Sequence, residues 1–142
     1  MSAEQNASLV RRYFEECVSN VNGPDQGRSL AMVDELMSDD FVMLYNSDTD
    51  TATRGRDAHK QFLVDHAQSF PDDRWTVEVL ISDEHSAACQ WRIQSSHDRT
   101  GASIDVRAAD FYRVRDGRIA ELRRFLDFKS LGRQMRLPAE QG

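Results

Sequence analysis

Apolar residues in the first half of the chain recur with the spacing of helices. From Ala3 to Asn20 they return every three or four positions, which predicts an amphipathic helix. The same spacing predicts a second, shorter helix from about Ser29 to Met37 and a third from about Arg56 to Ser69. The apolar run Phe41 to Asn46 predicts one strand between them, and the polar segment after it (47–55) is predicted to be a loop.

From Trp75 onward the apolar period becomes two, which is the spacing of half-buried strands. Four successive strands are predicted. The first two are marked by their alternating apolar residues, Trp75-Val77-Val79-Ile81 and Ala87-Cys89-Trp91-Ile93. The third is predicted from Ala102 to Val114 and the fourth from about Arg118 to Phe128. The Asp-Gly pair in "RDGR" predicts a tight hairpin between the last two strands, because this pair suits turns that need positive φ.

This order of elements predicts an α+β fold. Three N-terminal helices, interleaved with one short strand, would cover one face of a curved, mostly antiparallel sheet. The curvature would enclose an internal cavity, which is a natural site for a small molecule. A chain of 142 residues fits one domain, 1–142. We expect its core to extend over about 7–135 and a short polar tail to follow over 136–142.

Charge and composition narrow the range of partners and locations. A net charge of −6 argues against nucleic acid or an anionic membrane as a partner, and most of the arginines of the last strands are expected on a solvated outer face. Cys17 and Cys89 fall in apolar patterns, so they are interpreted as buried thiols rather than a disulfide. A cytoplasmic location is expected because the sequence has neither a membrane-spanning run nor a signal-peptide pattern.

One aspartate interrupts an apolar strand face. Asp110 alternates with Val106, Ala108, Tyr112 and Val114. A carboxylate there is costly unless it is paired, or unless it stays protonated and donates a hydrogen bond. Two interpretations therefore remain open: a structural acid bonded to an arginine or a tyrosine hydroxyl, and a carboxylic acid that faces a ligand.

Aromatic and histidine side chains supply the other candidates for a pocket. We expect Tyr45, Phe62, Trp75, Trp91, Phe111 and Phe125 near the cavity wall, where they would favour a flat hydrophobic ligand. Alternation alone does not decide which face is inside, so Phe111 and Trp91 could instead face a dimer interface. His59 and His66 share the predicted inner face of the third helix, either as core residues or as proton carriers. No tight metal-ligand motif and no Gly-rich phosphate loop occurs, and neither a metal nor a cofactor is expected.

Several segments resemble a known family in their order and spacing. They are "LVRRYFEECV", "MSDDFVMLYN", "TRGRDAHKQF", "FPDD", "ADFYRVRDGRIAE" and "LDFKSLGRQM". From Leu9 to about Met135 the chain resembles the nuclear transport factor 2-like superfamily and, within it, the SnoaL-like polyketide cyclase and ketosteroid isomerase-like branch. The resemblance implies a cone-shaped fold, a homodimer and functions that range from isomerases and cyclases to binding modules.

The resemblance also implies roles for four residues. Asp127 falls where SnoaL-like cyclases carry a general acid or base. Asp110 and Tyr13 fall where ketosteroid isomerase-like proteins carry the hydrogen-bond donors to a developing enolate. His97, in "QSSHDRTG", resembles a histidine of SnoaL-like proteins, and it or His66 could assist proton transfer.

Two positions depart from the patterns of relatives. Near Tyr45, where the isomerases carry a base, this sequence has Tyr45 and Asn46. The Asp-Arg-Asp arrangement of limonene epoxide hydrolase-like proteins would use Arg92, but its second acid falls at Gln94. We therefore interpret Tyr45, Arg92 and Gln94 as ligand contacts.

The leading hypothesis is cofactor-free acid–base isomerisation, cyclisation or dehydration of a small hydrophobic carbonyl compound. The alternatives are a non-catalytic ligand-binding or dimerisation module and an epoxide hydrolase-like enzyme.

Overall fold

The chain forms the predicted helices and strands in the predicted order, with one helix and one strand added. A computed structural model describes residues 2–136, so 137–142 of the predicted tail lie outside the described residues. The helices are α1 (Ala3–Arg12), α2 (Gln26–Leu36), α3 (Arg56–Ser69) and α4 (Phe128–Gln134). The strands are β1 (Met37–Tyr45), β2 (Asp48–Arg54), β3 (Arg74–Ser82), β4 (Ser86–Ser96), β5 (Ser103–Arg115) and β6 (Arg118–Phe125).

The first predicted helix is three segments in one. Ser2 caps α1, since its hydroxyl accepts a hydrogen bond from the Gln5 N–H at 3.1 Å and the Gln5 side chain bonds back to the Ser2 N–H. After α1 the chain continues as a π-helical turn, Tyr13–Cys17, and a 3₁₀ turn, Val18–Asn20. The predicted apolar stripe is buried throughout, which confirms the pattern.

The six strands form one mixed sheet in the order β2-β1-β6-β5-β4-β3. The last four strands make the predicted antiparallel meander, and β1 joins it by pairing parallel to β6. The first three helices contact the sheet on one side, which is called the inner face below. The α+β prediction is therefore confirmed, with four helices instead of three. No helix in the described part of the chain is long and apolar enough to cross a membrane.

Two elements were missed where the sequence is polar. The predicted loop forms the edge strand β2, whose residues are exposed or half-buried, so it has no apolar alternation to reveal it. The last strand was predicted to reach Phe128, but β6 ends at Phe125 and α4 follows. Asp127 caps α4 by accepting a hydrogen bond from the Ser130 N–H at 3.0 Å.

A bulge in β3 reverses the alternation predicted for that strand. The register against β4 shifts by one residue between Val77 and Val79. Beyond the bulge Leu80 packs against the core, whereas Val79 and Ile81 are 52% and 65% exposed. The predicted alternation of β3 is therefore wrong for Val79 and Ile81, which lie on the outer face of the sheet.

Candidate active site

A pocket of about 330 Å³ lies between α3, the inner face of β4 and β5, and α4. Its wall is mainly aromatic and aliphatic, with Phe62 from α3, Trp91 from β4 and Leu131 from α4 among the lining residues. Small-molecule sites span about 300–1,000 Å³, so this one suits a small ligand. The apolar wall favours a ligand with a largely apolar surface.

The polar side chains in the pocket wall are Tyr45, His66, Ser69 and His97, and Trp91 adds an indole N–H. Among the described lining residues there is neither a carboxylate nor a cationic side chain. Burial, assisted by the positive charge of Arg124, lowers the pKa of His66 from 6.5 to about 4. Near neutral pH His66 is therefore an uncharged imidazole, which can accept a proton.

His97 also lines the pocket, and its proton is located by its neighbours. The Thr100 hydroxyl donates to the Met135 carbonyl at 2.7 Å, so its oxygen is left to accept from His97 Nδ1 at 3.2 Å. Nδ1 of His97 then carries the proton, and Nε2 lies 3.9 Å from Asp98 Oδ1. This histidine is fixed in orientation by the turn that contains it.

Asp110 is fully buried and is bonded by a pair of neighbours on the sheet. Arg124, its direct cross-strand partner, donates from Nε to Oδ1 at 2.8 Å and from Nη2 to Oδ2 at 2.9 Å. The Tyr112 hydroxyl donates to Oδ2 at 2.5 Å. Both oxygens act as acceptors, as in a carboxylate. This arrangement matches the structural interpretation of Asp110, and it corrects the expectation that Asp110 donates a proton to a ligand.

Arg124 is an exception to the expectation that most arginines of these strands lie on the solvated face. Its side chain is 1% exposed, and its guanidinium lies 4.6 Å from the centre of the Trp91 ring and 6.0 Å from that of Tyr45. Its neighbour Arg123 does face outward. The sequence held the signal for this, because Arg124 shares strand parity with Leu122, which is buried.

Tyr13 belongs to a second buried polar pair. Its hydroxyl lies 2.8 Å from Nε2 of His59, and neither residue lines the pocket. Burial lowers the pKa of His59 from 6.5 to about 3, and it raises the pKa of Tyr13 well above its ordinary value. The structure therefore does not bring Tyr13 to a ligand oxygen together with Asp110.

The remaining predicted site residues divide between the pocket and the exterior. Tyr45, Phe62, His66 and Trp91 line the pocket, and their contact with a ligand stays a prediction. Trp75 lies behind it, with its ring centre 4.7 Å from that of Trp91.

Four others were misplaced. Arg92 pairs with Asp105 on the outer face, Gln94 is exposed and Phe125 is 38% exposed against Phe111. Asp127 is exposed at the start of α4 and is not among the lining residues. Because alternation carries Arg92 and Gln94 to the same outward side of β4, the Asp-Arg-Asp arrangement is not formed around Arg92.

Helix α4 and the residue directly after it contribute pocket residues that the sequence did not predict. Phe128, Leu131 and Met135 all line the pocket. Their spacing of three and four is helical, and this was the available signal. Within residues 2–136, no three His, Cys, Asp or Glu side chains are grouped as a metal site requires.

The comparison with protein families covers most of the chain. The family described as "SnoaL-like domain" matches residues 10–122. This chain belongs to the SnoaL-like family. The resemblance to the nuclear transport factor 2-like superfamily is thereby confirmed. No curated protein matches the chain.

Solved structures share the fold of this SnoaL-like chain at low sequence identity. A protein described as a SnoaL-like polyketide cyclase from Jannaschia sp. CCS1 is 21% identical, with 96% of this chain and 95% of that chain covered and a TM-score of 0.83. A phenazine biosynthesis-related protein from Pseudomonas aeruginosa is 20% identical, with coverage of 98% and 90% and a TM-score of 0.69. An LEH-like epoxide hydrolase from M. tuberculosis is 17% identical, with coverage of 94% and 93% and a TM-score of 0.68. Relatives this distant show the fold, and function has to be argued from the site.

Proposed function

We propose that this SnoaL-like protein binds a small hydrophobic carbonyl compound in the aromatic pocket and converts it by cofactor-free acid–base chemistry. The reaction would be an isomerisation, a cyclisation or a dehydration. The observation that carries the proposal is a neutral imidazole, His66, in the wall of a mainly apolar pocket. An uncharged imidazole can accept a proton, and its lowered pKa means that the imidazolium needs stabilisation from a neighbouring group when it forms.

The first step would break a C–H bond next to the carbonyl group. The proton moves to His66, and the electron pair moves to the carbonyl oxygen, which becomes an enolate. The Tyr45 hydroxyl, also in the wall, would donate a hydrogen bond to that oxygen. Return of the proton from His66 to a different carbon completes an isomerisation. Attack by the enolate carbon on a second carbonyl closes a ring, and the alkoxide formed there takes the proton from His66. Departure of a hydroxyl group from the carbon next to the enolate as water, with the proton from His66, completes a dehydration.

A homodimer is the second part of the proposal. The outer face of the sheet exposes Val79, Ile81, Phe111 and Phe125. Phe111 and Phe125 stack edge to face with ring centres 5.9 Å apart. Apolar side chains grouped on one sheet face favour burial against a second copy of that face.

A non-catalytic ligand-binding module is the alternative, and one observation favours it. The described lining residues include no carboxylate, so His66, His97 and the Tyr45 hydroxyl are the only titratable groups of ordinary acid–base catalysis in that wall. Ligand binding without turnover would be the result if neither histidine meets an acidic C–H bond.

The test uses proton exchange, because it does not require the product to be known. The purified protein is screened by thermal shift against aromatic polyketides, steroids and terpenoid ketones, and each binder is incubated in D₂O and followed by mass spectrometry. We expect deuterium next to the carbonyl with wild type and with His85→Gln, an exposed control, and none with His66→Gln. Binding without exchange in wild type would support the non-catalytic alternative. Binding that survives Leu131→Trp, which fills the pocket, would refute the pocket assignment.

A further inference from the structure

The turn after α3 directs a carboxylate at the pocket histidine. Asp73 lies in this turn, and its side chain is only 5% exposed. Its Oδ2 is 3.9 Å from Nδ1 of His66. At this distance the contact is not yet a hydrogen bond, so neither ring nitrogen of His66 has a hydrogen-bond partner among residues 2–136, while His66 itself lines the pocket.

Two donors from different parts of the chain fix the Asp73 carboxylate. The Trp75 indole N–H donates to Oδ2 at 2.8 Å, and the Asn22 side-chain amide donates to Oδ1 at 2.9 Å. Asn22 also donates to the Phe70 carbonyl at 3.0 Å, so it holds the turn as well as the acid. Both donors favour the ionised carboxylate, and they offset part of the burial that raises the pKa of Asp73.

We propose that Asp73 is a positioning residue that holds the Nδ1–H tautomer of His66, so that the basic nitrogen Nε2 faces the ligand. A neutral imidazole has one N–H, and a carboxylate near Nδ1 draws that proton to Nδ1. When Nε2 takes a proton from the substrate, the ring becomes a cation next to Asp73. The 3.9 Å separation can then shorten to a hydrogen bond, as catalytic contacts do on going from the free enzyme to the complex.

The inference rests on the proposed function, since it concerns the base of that reaction. It nevertheless has a consequence that needs no substrate, namely the tautomer of one histidine in the free protein. The neighbouring Asp72 provides a matched control. Asp72 is exposed, and it accepts hydrogen bonds from Ser95 and Ser96 on β4 instead of facing His66.

The test is a long-range ¹H–¹⁵N spectrum of the ¹⁵N-labelled full chain, in which His66→Gln identifies the His66 signals among the four histidines. We expect His66 to be protonated on Nδ1 in wild type and in Asp72→Asn, and to shift toward the Nε2–H form in Asp73→Asn. A wild-type His66 protonated on Nε2 would overturn the proposal. So would an unchanged tautomer in a folded Asp73→Asn variant. If that variant does not fold, the wild-type spectrum decides.

Kinetic measurements distinguish the positioning role of Asp73 from the proposed reaction. With a substrate in hand, Asp73→Asn should lower kcat at least tenfold with little change in KM, and no further than loss of the base itself, about 10²- to 10⁴-fold. Asp73→Glu should restore part of the loss. If no compound exchanges a proton but the tautomer depends on Asp73, the proposed reaction fails while the positioning role stands.

Discussion

The buried pair Asp110–Arg124 offers the sharpest test of how the sheet is held together. Arg124→Met removes the guanidinium and leaves the fully buried Asp110 with one donor, the Tyr112 hydroxyl. Stranding one member of a buried ion pair costs about 3–5 kcal/mol. For a domain of this size that loss corresponds to a fall in Tm of about 6–20 °C. Most of it is the cost of an unpaired charge, not the strength of the pair.

Removing both charges should therefore cost less than removing one. In Asp110→Leu/Arg124→Met, the main remaining penalty is the Tyr112 hydroxyl without its acceptor, about 1–3 kcal/mol. Adding Tyr112→Phe should recover part of that penalty. The assay is urea unfolding followed by tryptophan fluorescence, which is suitable because both tryptophans, Trp75 and Trp91, lie within 6 Å of the guanidinium, at 5.9 and 4.6 Å from ring centre to Cζ.

A matched pair on the outer face provides the control. Arg92 donates two hydrogen bonds to Asp105, as Arg124 does to Asp110, but the Arg92–Asp105 pair is open to solvent. Arg92→Met should lower the free energy of unfolding far less than Arg124→Met. The reasoning would be refuted if the two substitutions cost the same. It would also be refuted if the Asp110/Arg124 double variant lost the sum of the two single losses.

Three further predictions concern pH, the α4 cap and assembly. The pKa values of His59 and His66 are about 3 and about 4 in the folded protein and 6.5 in the unfolded chain. Between pH 6.5 and pH 4 the unfolded chain therefore binds more protons than the folded protein does. Stability should fall by about 2 kcal/mol per histidine at pH 5, and His59→Gln should reduce the pH-dependent loss of Tm. Asp127→Ala should cost about 1 kcal/mol through the lost cap, while Asp127→Asn, which can still cap, should keep both stability and activity; a large loss of kcat in Asp127→Asn would instead mark it as the acid or base. Phe111→Asp should shift the sedimentation coefficient from that of a dimer to that of a monomer. Wild-type protein that sediments as a monomer would refute the proposed homodimer.

The sequence predicted the meander best because β4 and β5 alternate without interruption. Apolar residues on one face of β5 bracket Asp110, and the strand indeed buries it. The same rule failed in β3, where a bulge that leaves no mark in composition exchanged the two faces after Val77. It missed β2 because an edge strand whose residues are exposed or half-buried needs no apolar alternation.

The site was harder to predict than the fold, and Arg124 shows why. Strand alternation places Arg124 on the same, buried face as Leu122. The charge of Arg124 favours exposure to solvent instead. The sequence alone does not show which of these two effects is larger. Arg124 is buried because Asp110, its ion-pair partner, lies directly opposite on the neighbouring strand. Each charge is a poor choice for the core, and only the register between two strands makes the pair acceptable.

The same pairing changes where chemistry should be sought in this fold. Asp110 is the most conspicuous buried acid, but both of its oxygens are occupied by Arg124 and Tyr112, so it has little capacity left for a ligand. His66 is less buried and looks from sequence like one more residue of a helix stripe. It nevertheless lies in the pocket wall with a free nitrogen and with Asp73 behind it. We therefore look for function at a polar side chain left partly unsatisfied at a cavity, and not at the most deeply buried charge.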